Sequence, residues 1–297
     1  MARDTYDLGL LRNGTGDPTT QVRLASSRGS MAARIERATL TPMGPGTVRV
    51  TIDESGVHTV DAWGDGAAWL TERYERLSAR TTATPPLRPQ HNVVERALHD
   101  VGHLRLPASD SPYHELLPAV LGQRITAGEA LRQWATLCLR YGDVAPGPLE
   151  LRLPPRPERL LAIPSWEFHR LGIEQQRARA LRVVASHFSY VQRTVGLSGA
   201  EARHALTRLP GIGVWTAAVA VGVSHGDPDA LPVGDFHVKN TVAWAFTGAP
   251  RGTDDEMLAT LQPYAGQRWQ VVRLLEKSGI AAPKFGPKRR NLSIARL

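Results

Sequence analysis

Two periods of apolar and polar positions divide the chain. Between Arg34 and Trp63 the residues alternate, strictly in TVRVTI from Thr47 and nearly so in VHTVDAW from Val57, as in strands that bury one face. Gly44-Pro45-Gly46 and Glu54-Ser55-Gly56 supply turns between them. The segment predicts a small antiparallel sheet, closed by one amphipathic helix over Ala67–Leu77. From His91 the period becomes helical almost to the end, with helices expected over Asn92–Val101, Tyr113–Gln123, Ala127–Tyr141, Arg156–Ala162, Ile173–Thr194, Gly199–Arg208, Val214–Val223, Phe236–Phe246, Asp254–Leu261 and Gln267–Lys277. Thr126 with Glu129, and Thr253 with Glu256, have the spacing of capping boxes. Residues 1 to about 30 are polar and glycine-rich, and TTATPPLRP from Thr81 has three prolines and no period, as in a linker. The fold class is therefore α+β: a β-rich N-terminal domain over 1–82, an all-α region over 83–280, and a basic, proline-interrupted tail over 281–297.

Charge adds a partner. Thirty-six Lys and Arg against 28 Asp and Glu give a formal net charge of +8, which favours a polyanion, nucleic acid before a membrane surface. Lysine occurs only at Lys239, Lys277, Lys284 and Lys288, so the positive charge is mostly guanidinium, which pairs bidentately with phosphate and stacks on bases; codon bias in a GC-rich genome produces the same excess. Cys138 is the single cysteine, which excludes a disulfide framework, a cysteine zinc site and a four-cysteine iron–sulfur cluster. No apolar run approaches a membrane span, and the N-terminus lacks the basic-then-apolar order of a signal peptide. The chain reads as cytoplasmic.

The most informative segment is LTRLPGIGVWTAAVAVGV from Leu206, where two glycines flank one apolar residue between two helices. Gly211 and Gly213 leave room for amide N–H groups to face outward beside a helix N-terminus, a turn suited to one backbone phosphate. Pro210 fixes the entry angle and Ile212 plugs the gap between the helices. An ordinary tight helix–helix turn has the same composition.

Downstream, ALPVGDFHVKNTVAWAF from Ala230 places Asp235 behind Pro232 and Gly234, where a helix must begin. An N-cap role accounts for an aspartate there. A carboxylate fixed beside a phosphate-binding turn is also placed to stabilise positive charge at a nucleotide's anomeric carbon and to orient or deprotonate water. Lys239, one turn on, shares its helix face and is a partner for Asp235 or for a phosphate.

LPGIGVWTA followed by LPVGDFHVK resembles the helix-hairpin-helix (HhH-GPD) superfamily of DNA glycosylases, in which such a hairpin precedes a Gly/Pro-rich loop and a catalytic Asp. AVLGQRIT from Ala119 resembles the superfamily's helix-end motif whose Gln enters the gap left by a flipped nucleotide, and QQRARAL from Gln175 resembles the helix that follows the next helical segment. The resemblance implies the helix-hairpin-helix glycosylase fold, Asp235 as the catalytic carboxylate and Gln123 and Arg124 as wedge residues. It also implies DNA contact at Leu209, Gly211, Ile212, Gly213, Thr216 and Lys239. It runs from His91 to Lys277 by motif, and over residues 1 to 80 by architecture alone.

Within the superfamily, absences select the branch. Bifunctional members carry a nucleophilic Lys two residues after the second hairpin glycine, where this chain has Trp215, so no Schiff-base lyase step is expected. The endonuclease III and adenine-mismatch branches usually hold an iron–sulfur cluster that one cysteine cannot build. What remains is similar to the 3-methyladenine DNA glycosylase II branch, which removes alkylated purines and needs no cofactor. That branch has a Tyr at the position of Val219 and an apolar wedge at the position of Arg124, and its aromatic after the catalytic Asp is here Phe236.

An alkylated purine is cationic and leaves as a neutral base, so one carboxylate suffices. Aromatic faces attract such a base by about 0.5–2 kcal/mol each, and Trp215 and Phe236 are the motif-supported candidates, with Trp166 and Tyr113 as further ones for which a core or rim role serves equally. His169, His225 and His237 form no metal-binding pattern, so no side-chain metal site is expected; a hairpin of this kind can hold a monovalent cation on the carbonyls around Leu209 and Ile212. The expected partner is duplex DNA with a damaged base, bound by a monomer. Two other readings stay open: a monofunctional glycosylase for uracil, hypoxanthine or an oxidised base, and a non-catalytic DNA clamp. The loop Gly14-Thr15-Gly16-Asp17 looks like a turn or binding loop with no assigned role.

Overall fold

The computed structural model describes residues 4–24, 31–80 and 86–283. Strands β2 (Thr20–Leu24), β3 (Met31–Thr41), β4 (Gly44–Asp53) and β5 (His58–Trp63) form an antiparallel sheet in chain order. Its register sets Ile35 opposite Val50 and Ala33 opposite Ile52. These four side chains are buried against α1 (Ala67–Leu77) through Trp69, Leu70 and Leu77. Ala38 and Leu40, on β3's other face, instead join the helical core. The second half of β3 is thus covered on both sides, which is how the sheet attaches to the helices.

The expected fold class holds: an antiparallel sheet followed by helices. These are α2 (Asn92–Val101), α3 (Pro112–Leu121), α4 (Ala127–Tyr141), α5 (Pro157–Ala162), α6 (Ser165–Arg170), α7 (Gln175–Ser186), α8 (Phe188–Arg193), α9 (Gly199–Leu206), α10 (Val214–Ser224), α11 (Phe236–Thr247), α12 (Asp254–Leu261) and α13 (Arg268–Lys277). They pack around two cores. One is built by α3 to α10 and includes Trp134, Leu137, Phe168, Leu181 and Ile212. The other is built by α2 and α11 to α13 and includes Val94, Val242, Leu261 and Val271. The chain crosses from the first to the second over residues 225–235, so Asp235 opens α11 at the end of that crossing.

Three expectations are corrected. The region after His91 is not purely helical: β1 (Asp4–Tyr6) pairs in parallel with β6 (His103–Arg105) across almost a hundred residues. The helix expected over Ile173–Thr194 is two helices, α7 and α8, because His187 at φ −108° and ψ 24° leaves the helical region. The N-terminal thirty residues, read as merely polar, contain β1, a 3₁₀ turn at Leu8–Leu11 and β2. Part of the proline-rich crossing, 81–85, and the tail from 284 lie outside the described residues. Among the described residues no helix is long and apolar enough to cross a membrane.

Candidate functional site

α9 ends at Leu206 and α10 starts at Val214, joined by the expected hairpin. Leu209 and Ile212 are buried while Pro210, Gly211 and Gly213 are exposed. The Ile212 N–H donates to the Leu209 carbonyl at 3.0 Å, closing the turn. Gly211 has φ +85°, in the left-handed region, and a Cβ there would meet the Ala180 Cβ at 2.9 Å, so glycine is required twice over. Among the described residues no side chain caps α10, so its first turn carries amide N–H groups with no side-chain acceptor, next to the exposed Gly211 and Gly213.

Asp235 is the N-cap of α11. Its Oδ1 accepts from the N–H groups of His237 at 2.8 Å and Val238 at 3.1 Å, and its Oδ2 accepts from the Trp215 indole Nε1–H at 2.9 Å. Both oxygens are held, one by its own helix and one by the hairpin helix, so the carboxylate has one orientation. The Trp215 ring in turn lies against Gly122, where a Cβ would approach it to 3.3 Å.

The segment 122–126 between α3 and α4 completes the cluster. Gln123 Nε2 donates to the Gly211 carbonyl at 2.9 Å and to the Thr216 hydroxyl at 2.9 Å. Arg124, beside it, is exposed and has φ +59°, a conformation that costs a non-glycine residue strain and often marks a functional position. Arg177 on α7, buried, donates to the Leu121 carbonyl at 3.0 Å and to Gln133 at 2.7 Å. It fixes the end of α3 from which this segment leaves. Three pieces far apart in sequence are thus joined by direct contacts: 122–124, 211–216 and 235.

Not every candidate joins them. Tyr113 is buried in the helical core, its hydroxyl donating to the Pro155 carbonyl at 2.9 Å and its ring edge-on to Phe188; burial also pushes its phenol far up. It is a core residue because a phenol with a satisfied hydroxyl fits an apolar interior. Thr216 does join them through its bond from Gln123, but at 2% exposed its hydroxyl faces inward and not toward a ligand. Trp166 stands exposed on α6 with the Arg170 guanidinium 5.7 Å from its ring centre, outside this set of contacts. Phe236, beside Asp235, is 64% exposed and lies edge-on to His237. Lys239 pairs with Asp254 in place of Asp235: its Nζ donates to Asp254 Oδ2 at 2.9 Å. Among the described residues no three His, Cys, Asp or Glu side chains converge in a metal-holding group.

Sequence reasoning missed Asp254 and Gly122. Asp254 was visible only as the first helical residue, inside the Thr253–Glu256 capping box, and nothing in the spacing announced its partners.

Residues 117–265, half of the chain, match the family model described as HhH-GPD superfamily base excision DNA repair protein. The chain belongs to this superfamily. Its fold is shared with the 3-methyladenine DNA-glycosylase of Archaeoglobus fulgidus, at TM-score 0.69 and 16% identity, covering 87% of this chain and 89% of that one. It is shared also with the Clostridium acetobutylicum 8-oxoguanine glycosylase/lyase, at TM-score 0.60 and 11% identity over 88% of each chain. The Schizosaccharomyces pombe 3-methyladenine DNA glycosylase, solved with abasic DNA, aligns at TM-score 0.54 and 20% identity over 66% of this chain and 96% of its own. No curated protein sequence matches the chain. The first two alignments extend over most of this HhH-GPD chain, and its site-bearing segments 122–124, 211–216 and 235 lie within the family match.

Proposed function

We propose that the chain is a monofunctional DNA glycosylase of the cytosol that removes alkylated purines by hydrolysis, with Asp235 as the catalytic carboxylate. The observation that carries this is the indole-to-carboxylate hydrogen bond at the mouth of the hairpin: Trp215 Nε1–H to Asp235 Oδ2, 2.9 Å. It puts an aromatic face and an oriented carboxylate side by side, and it fills with an indole the position where a lyase of this superfamily needs an amine. The one lysine near Asp235 in sequence, Lys239, is tied to Asp254.

The chemistry follows from charge. Alkylation at N3 or N7 gives the purine a formal positive charge. When the C1′–N9 bond breaks, its electron pair goes to N9, the base leaves neutral and the sugar becomes an oxocarbenium ion. A fixed carboxylate stabilises that cation without reorganising, and water adding to C1′ loses a proton to solvent or to the carboxylate. The flipped base meets the faces of Trp215 and Phe236, which attract a cation. The exposed hairpin amides bind a phosphate of a duplex partner, and a DNA partner is supported by the S. pombe protein of like fold, whose structure is a complex with abasic DNA. The two expected wedge residues divide the work. Gln123 is engaged with the hairpin, so Arg124, exposed and strained at the tip of the segment, enters the stack.

Single-turnover release of free base from methylated duplex DNA tests this, with Asp235→Asn in parallel. We expect 3-methyladenine or 7-methylguanine from the native enzyme alone and an uncut abasic strand. Binding without release from this DNA, but release from uracil-, hypoxanthine- or 8-oxoguanine-containing duplexes, replaces the substrate and keeps the site. The fold likeness to the 8-oxoguanine glycosylase/lyase is why that panel is included.

A further inference from the structure

Asp254 lies in another helix, yet its carboxylate reaches both sides of Asp235. Its Oδ1 accepts the N–H of Gly234 at 2.9 Å, the residue just before Asp235, and its Oδ2 accepts the Lys239 ammonium at 2.9 Å, one helical turn after it. The Gly234 contact is specific to the backbone path. Pro232 to Asp235 is a turn closed by the Asp235 N–H on the Pro232 carbonyl at 3.0 Å, with Gly234 at φ +91°. Glycine takes the left-handed angles that the third position of such a turn requires, and the bond from its N–H to Asp254 ties that peptide to α12.

The start of α12 is itself fixed against α11. Thr253 and Glu256 form a reciprocal capping box. The Gly252 N–H donates to Asn240 Oδ1 at 3.1 Å, and Asn240 Nδ2 donates to the Phe236 carbonyl at 2.7 Å. Asp254 therefore projects from a doubly anchored helix start onto the joint between the Pro232–Asp235 turn and the helix that Asp235 caps. Lys239 holds its carboxyl below the ordinary aspartate range, with the Gly234 N–H acting the same way.

We propose that Asp254 is a positioning residue for Asp235, clamping the Gly234 peptide and the first turn of α11 so that the Asp235 carboxylate keeps the orientation in which Trp215 meets it. This rests on Asp235 being the catalytic group, as proposed above. Misplacement by about 1 Å at a reacting centre costs on the order of 100-fold in rate, so loss of the clamp is read in the chemical step and not in DNA binding.

The test uses the full chain with Asp254→Ala and Asp254→Asn. Asparagine keeps an oxygen for the Gly234 N–H; alanine keeps neither bond. We expect Asp254→Ala to lower single-turnover base release at saturating enzyme by roughly 10- to 100-fold, with affinity for abasic duplex DNA within about twofold of native. Asp254→Asn should recover most of the rate. The second readout needs no substrate: the indole ¹H–¹⁵N signal of Trp215, assigned through Trp215→Phe, reports the hydrogen bond to Asp235. It should move in Asp254→Ala and stay near its native position in Asp254→Asn. Native rate and an unmoved indole signal in Asp254→Ala overturn the proposal. So does an asparagine variant as impaired as alanine, since the Gly234 clamp would then count for nothing. If the native enzyme releases no base from any lesion duplex, the glycosylase reading falls, and the indole signal alone still decides whether Asp254 orients Asp235.

Discussion

Trp215 does two things that phenylalanine in its place would separate. Its ring lies against Gly122, and its N–H donates to Asp235 Oδ2. Phenylalanine keeps an aromatic face and deletes the donor. A hydrogen bond to a charged group contributes about 1.5–3 kcal/mol, so Trp215→Phe should slow single-turnover release by an order of magnitude or more. Binding to abasic duplex should hardly change, and a native rate in that variant would show that the carboxylate needs no help from the indole. The partnership was half legible: the positions of Trp215 and Asp235 stood out in sequence, while the bond joining them across 20 residues did not. Asp17 was opaque in the same way. It is 4% exposed and accepts from the Asn13 N–H, the Thr19 N–H and hydroxyl, and the Trp134 indole at 2.7–3.0 Å. Of the two readings of Gly14-Thr15-Gly16-Asp17, a turn or a binding loop, the structure has the turn, and its aspartate is spent on internal hydrogen bonds, one of them to a tryptophan 117 residues away.

The hairpin makes its own prediction because its two glycines differ. Gly211 has φ +85° and a close neighbour in Ala180, whereas Gly213 has φ −86° and, among the described residues, nothing within 4 Å of the point where a Cβ would stand. Gly211→Ala should therefore lower the melting temperature by several degrees and weaken DNA binding with it. Gly213→Ala should leave the melting temperature alone and weaken duplex affinity by about tenfold, because a methyl group there keeps the phosphate from the amides. No cation is removed, so the dependence of that affinity on salt concentration should keep its slope; a shallower slope would mean that a basic side chain, and not the amides, makes the contact. Most elements of this kind could be read directly. α1, α2, α4 and α12 span the residues their periods announced, and Thr126 and Thr253 cap as their spacing required. What escaped was short or non-local. α6 is six residues long, and β1 and β6 are three each and pair only with one another in a two-stranded sheet, so none of them offers a period to detect.

The sheet and the helices are joined by buried polar contacts, and these set how the whole molecule responds to acid. Arg37 on β3 pairs with Glu115 on α3 at 2.5 Å, with Ser109 also donating to Glu115. Beside them His114, fully buried, sits between Thr39 on β3, 3.0 Å from Nδ1, and Thr19, 3.1 Å from Nε2. Thr19 gives its hydroxyl proton to Asp17, so its oxygen accepts from Nε2–H and Thr39 donates to Nδ1, an arrangement that fits the neutral ring. Burial, with the nearby Arg37 charge, pushes the His114 pKa well down. A base whose folded value is depressed binds its proton preferentially when unfolded. Its contribution to stability is complete above the ordinary histidine range and is lost as the pH falls below about 6.5. Each pH unit below that range removes up to about 1.4 kcal/mol. Replacement by glutamine, which cannot titrate, should cost stability at pH 7, where the histidine's two hydrogen bonds are disturbed. The gap between the native protein and His114→Gln should then narrow steadily from pH 7 to pH 5 in urea unfolding. A gap that stays constant would mean that His114 takes up its proton inside the fold, and that Thr19 and Thr39 can rearrange to accept from both ring nitrogens.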